Sequence, residues 1–164
     1  MTPYVSNCTP PVSGTTFLPD GSGVSYQTSI VADCYPSGST ITSASDFQNV
    51  CINMEHSYSG DVEIEFRCPN GQTIQLKVNA GGGTYLGSPI DNGSGPGTGR
   101  LYCFTPTATT LLNSAPTSSA GTPAGASYVA GNYKPQQAFT GLVGCPLNGT
   151  WTIIVTDHLA IDVG

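Results

Sequence analysis

Positive charge is what this 164-residue chain most lacks: Lys and Arg number four against ten Asp and Glu, for a formal net charge of -6. That balance repels phosphate backbones and excludes nucleic acid as a partner class. With so few cations to pair with, some carboxylates are left over for a hard ion such as calcium. Long apolar runs are missing too: no stretch approaches the roughly 20 residues a membrane-spanning helix needs, which excludes insertion by that route. There is no CxxC pair of the kind that structural zinc sites use. Nor is there a nucleophile elbow to place a serine for acyl transfer. The opening residues, MTPYVSNCTPPV, lack the charged n-region and apolar h-region of a secretory leader. For an exported protein, the expectation is that the leader has been removed.

What the chain has is turn and strand material. Charged residues are only 9% of the sequence, while 21 Gly and 13 Pro punctuate stretches rich in Ser and Thr. Long helices are therefore not expected. The organising stretch is Gln48 to Val78, QNVCINMEHSYSGDVEIEFRCPNGQTIQLKV. Three apolar sets alternate with polar residues: Val50, Ile52, Met54; Val62, Ile64, Phe66; and Ile74, Leu76, Val78. Period-2 alternation is the mark of strands with one buried and one wet face. The stretch reads as a three-strand antiparallel meander, with polar links at His56–Gly60 and Pro69-Asn70-Gly71. Asp61, Glu63, Glu65 and Arg67 fall on the wet side.

Residues 1–16, rich in Pro, Ser and Thr, read as an extended arm, and 17–164 as one domain. Val24 to Ala32 is a strand, as is Arg100 to Phe104. Gln137 to Val143 is a strand or a helical turn. Near the end, Trp151, Ile153 and Val155 share one face of a core strand. Thr105 to Gly131 has no usable periodicity, and so long a segment is functional or partly disordered. Six cysteines, Cys8, Cys34, Cys51, Cys68, Cys103 and Cys145, make an even, dispersed set that reads as disulfides in an oxidising compartment. Spacing leaves their pairing open. The fold class is all-β, an antiparallel β-sandwich stapled by disulfides and located outside the cell or on its surface.

Two blocks resemble a known family. His56-Ser-Tyr58-Ser-Gly60-Asp61-Val-Glu63-Ile64, followed by Pro69-Asn-Gly71, is similar to the H-x-Y-x-G-D core of the P domain. That is the jelly-roll-like module that follows the protease domain in proprotein convertases. Asn148-Gly149-Thr150-Trp151 through Asp157 is similar to the same family's N-G-x-W block, and Phe17-Leu-Pro19-Asp20 to its opening segment. The added cysteines and the Gly-Thr-Tyr85-Leu-Gly-Ser-Pro stretch resemble the variant in secreted or surface proteins of Bacteroidota. In the family a final strand with a tryptophan follows the segment corresponding to Asp157 to Gly164. The resemblance implies a sandwich lacking its last strand, with exposed backbone groups for another strand to cover.

Asp61, Asp91, Asp157 and Asp162 lie at strand ends, where carboxylates and carbonyls together suit calcium, an ion that P domains of several secreted proteins bind. Glu55 and Asp20 are outer candidates. The plainer alternative is solvated turn aspartates capping local N–H groups. His56 and His158 are the two histidines, and Asp157 adjoins His158. A triad needs spatial roles and a nucleophile, so a packed, backbone-bonded His56 is the better account. Eight tyrosines (4, 26, 35, 58, 85, 102, 128 and 133) could stack on sugars or close the ends of the sandwich. The sequons at Asn7, Asn92 and Asn148 are candidate glycosylation sites, and Thr105 to Pro123 has the composition of an O-glycosylated loop. The sequence thus points to a non-catalytic extracellular module, structural or adhesive. It would join itself or a neighbouring domain by strand exchange into a fibre. The alternatives are a carbohydrate-binding module and an accessory domain steadying a secreted protease.

Overall fold

The computed structural model describes Leu18 and residues 23–90, 96–121 and 124–159. The alternation that marks the middle of the sequence does produce strands. In β3 (Val62–Arg67), Val62, Ile64 and Phe66 are buried and Glu63, Glu65 and Arg67 are half-exposed. β3 turns back through Pro69-Asn70-Gly71 into β4 (Thr73–Lys77) as an antiparallel hairpin. Gly71 supplies the positive φ, 92°, that the turn requires, and Cys68 N–H donates to the Gln72 carbonyl at 2.9 Å to close it.

The first apolar set has the right secondary structure and a different partner. β2 (Val50–Met54) does not pair with β3; it pairs antiparallel with β5 (Arg100–Phe104) in a second sheet. A period of two says which face a strand buries and not which strand lies beside it. The link after β2 is a crossover, not a hairpin: His56 bridges to Leu86, and a single 3-10 turn, Ser59–Asp61, carries the chain over to β3.

The larger sheet has the order β1-β9-β3-β4. β1 (Val24–Ala32) and β3 flank β9 (Gly149–Asp157), both antiparallel to it. The second sheet has the order β2-β5-β8. Here β8 (Gly131–Tyr133) runs parallel to β5, a pairing the sequence did not indicate. The inner faces meet in one core of Ile64, Phe66, Leu76, Trp151 and Val155 from one sheet and Tyr102, Phe104 and Tyr133 from the other. Four rings organise it: Phe66 stacks on Trp151 with centroids 5.2 Å apart, and Phe47 stacks on Phe139 at 4.7 Å. Phe47 also stands edge-on to both Phe66 and Trp151, joining the two stacks. The architecture is all-β, with sheets packed face to face.

The stretch after β5 has definite structure where it is described. Leu112 is buried in a 3-10 turn, and β6 (Thr117–Ser119) pairs with β7 (Ala126–Tyr128) as a small hairpin. Its organiser is Arg100: one guanidinium nitrogen donates to Ser118 Oγ and the Tyr128 carbonyl, both at 2.9 Å, and the other to the Ser119 carbonyl at 2.7 Å. One planar fork therefore holds both strands. Gln137 to Val143 resolves as a 3-10 turn, Phe139–Leu142. Gly87, φ 61°, lies where a Cβ would come within 2.5 Å of the Thr98 carbonyl and 2.8 Å of Glu55 Cβ, so only glycine fits.

Disulfides link Cys51 to Cys103 and Cys68 to Cys145. The first joins directly opposed residues of β2 and β5, with Cα atoms 4.0 Å apart. The second ties the end of β3 to the approach to β9. Cys34 is also disulfide-bonded. Cys8, the arm at 1–16 and the last residues, 160–164, lie outside the described residues. No helix among the described residues is long and apolar enough to cross a membrane. Because Cys68–Cys145 spans 77 residues, replacing both cysteines with serine is expected to cost about 4 kcal/mol of unfolding free energy. Urea denaturation measures it.

Candidate functional site

Two polar regions stand out, at opposite ends of β2. The first gathers the chemistry-bearing side chains that follow β2. His56, Ser57, Ser59, Asp61, Lys77 and Asp157 are all buried. The register that sets Val62 opposite Asp157 brings the start of β3 beside the end of β9, and His158 N–H donates to the Asp61 carbonyl at 3.0 Å. Tyr58 N–H donates to His56 Nδ1 at 3.1 Å. Nδ1 also lies 3.1 Å from the Tyr58 carbonyl, and Nε2 points at Asp157 Oδ2, 3.4 Å away. The other Asp157 oxygen accepts from Leu159 N–H at 3.1 Å. His56 and Asp157 are 0% and 1% exposed, so the pair is sealed from any substrate. His158 faces Glu63 at the rim, 3.6 Å apart.

Lys77 is the member of this cluster that the sequence did not reveal. Alternation with Ile74, Leu76 and Val78 places it on the wet face. A register shift between Ile64 and Glu65 sets Lys77 opposite Ile64 instead, and it is buried. Its ammonium donates to the carbonyls of Ser59 at 2.6 Å, Val62 at 2.8 Å, Val78 at 2.9 Å and Ala80 at 3.1 Å. Three N–H donors are shared among four acceptors, a shell like the one a bound cation would collect. Burial pulls the Lys77 pKa from 10.5 down to about 7, with Asp61 and Glu63 opposing the fall. On the outer sheet face, burial first and Glu63 second hold the Glu65 carboxyl above its ordinary value, against Arg67.

These contacts bear on the four calcium candidates. Asp61 is buried beside Lys77, and both Asp157 oxygens face protein donors. Among the described residues no three His, Cys, Asp or Glu side chains are grouped to hold a metal ion. Asp91 and Asp162 lie outside the described residues, as do Asp20, Asn7 and Asn92. Asn148 is described: its amide clamps the Tyr35 backbone, donating to the carbonyl at 2.8 Å and accepting from the N–H at 3.0 Å. The described tyrosines do not gather into one platform. Tyr102, Tyr128 and Tyr133 are interior, while Tyr35 and Tyr58 are the more exposed ones.

The second region is an open pocket of about 460 Å³ at the other end of β2. Gln48 and Asn49 line it from the approach to β2, Thr105, Thr107 and Thr109 from the segment after β5, and Asn132 from β8. The signal was present in the alternate threonines, within a segment otherwise without pattern. Comparison with protein-family models, with curated proteins and with solved structures gives no match.

Replacing Lys77 with Met leaves buried carbonyls without donors, and the expected loss is about 3 kcal/mol in urea denaturation. Folded Lys77 has the lower pKa, so between about pH 7 and about pH 10 the unfolded chain retains a proton the folded chain has released. Stability from this group rises with pH across that window. The gap in thermal midpoint between wild type and Lys77→Met should therefore widen from about pH 6 to about pH 9.

Proposed function

We propose that this chain is a non-catalytic extracellular β-sandwich module of the P-domain kind, with a structural or adhesive role. The burial of His56, Asp61, Lys77 and Asp157, each at most 5% exposed, carries this reading. These four groups, each able to do acid or base chemistry, are spent on holding one end of the fold together. The disulfides favour an oxidising compartment, and the H-x-Y-x-G-D block that resembles the P domain is the segment that builds the sealed cluster.

The joining surface in this reading is β1. Its nine residues, VSYQTSIVA, carry no charge and no proline, and among the described strands β1 pairs on one side alone, with β9. An uncharged edge of that length accepts a further strand from a neighbouring molecule or domain. Calcium enters the proposal through Asp91 and Asp162, which lie outside the described residues. The alternative of an accessory domain beside a secreted protease rests on the family resemblance alone.

Sedimentation and negative-stain imaging of the full chain test the joining role. End-to-end oligomers or filaments are expected, and Val31→Lys, at an exposed position of β1, should abolish them without moving the thermal midpoint. Uniform monomers at high concentration would refute assembly. For calcium, a chelator should lower the midpoint and added calcium restore it; an unchanged midpoint removes the ion from the proposal.

A further inference from the structure

We propose that the pocket at the β2, β5 and β8 end is a binding site for a neutral glycan. Its size, about 460 Å³, falls within the roughly 300–1,000 Å³ of small-molecule sites. The chemistry of the lining narrows the ligand class. Apart from Ala108, each lining residue is Thr, Asn or Gln, with no acid, base or aromatic ring among them. Hydroxyls and amides donate and accept at once, as sugar hydroxyls do. Nothing in the lining would neutralise a phosphate, sulfate or carboxylate, and only Ala108 and the threonine methyls offer apolar contact, which is too little for a lipid.

Part of the polar lining is also unspent. The side chains of Gln48, Thr109 and Asn132 make no hydrogen bond to a described residue, and all three are exposed. The frame beneath them is fixed. Thr105 Oγ1 accepts from Ala108 N–H at 3.1 Å and shapes the turn. Lys134 joins through its backbone, donating to the Thr110 carbonyl at 2.7 Å. Below the pocket, Cys103 pairs with Asn132 across β8 and is bonded to Cys51 in β2. One covalent link and two strand pairings thus hold all three walls, and a pre-ordered site loses less entropy on binding. The pocket and the β1 edge belong to different sheets, so this site stands whether or not the chain polymerises.

The test uses the full, disulfide-intact chain on an array of neutral, sialylated and sulfated oligosaccharides. Amide NMR titrations with lactose, cellobiose, maltose and chitobiose accompany it. The expected result is binding to neutral sugars, with shifts confined to residues 48–49, 105–110 and 132. Asn132→Ala and Thr109→Val should each weaken it about tenfold at an unchanged thermal midpoint. Should either variant lose stability, Gln48→Ala replaces it. Silence across array and titrations, binding limited to anionic glycans, shifts at the His56 end, or affinity untouched by the variants would each overturn the assignment.

Discussion

The seating of β9 between β1 and β3 is the constraint on which the rest depends. Among the described strands of the larger sheet it is the one paired on both sides with partners far away in sequence, along 149–157 with β1 and along 152–157 with β3, and it supplies Trp151 to the aromatic core. Ser25 and Thr156, whose hydroxyls meet at 2.7 Å across the β1–β9 pair, are 131 residues apart. Asp157, at its last position, closes the sealed cluster through His56. Without β9, β1 has no described strand partner and the β3–β4 hairpin has no sheet to belong to.

The two ends of the molecule divide its polar chemistry. At one end titratable groups are withdrawn from water and occupied by backbone partners. This is the arrangement of a fastening, in which an ammonium cross-links the segments 59–62 and 78–80, which a glycine-rich loop could not hold by packing. At the other end uncharged hydrogen-bonding groups face solvent above a covalent tie.

Much of the fold was legible in the residues. Val62, Ile64 and Phe66 face the core as their spacing dictates, Pro69-Asn70-Gly71 makes the hairpin, and Trp151 and Val155 point inward from β9. What failed was partnership. The alternation in Val50, Ile52 and Met54 is the same whether β2 lies beside β3 or beside β5, and only the second option opposes Cys51 to Cys103. Lys77 was misplaced because a one-residue shift in register inverts the face of everything after it, and no residue type announces a bulge between Ile64 and Glu65. Thr105 to Gly131 looked formless because its order comes from outside it, from the Arg100 fork and the parallel pairing of β8, neither of which is a local pattern.

The late position of β9 also governs when the larger sheet can form. A chain emerging from its N-terminus has β1 ready long before residues 149–157 appear, so that sheet cannot close on a partial chain. Contacts of such long sequence separation form slowly. The tie between Cys68 and Cys145 likewise waits for late sequence, so it can lock the sheet only once residue 145 is available.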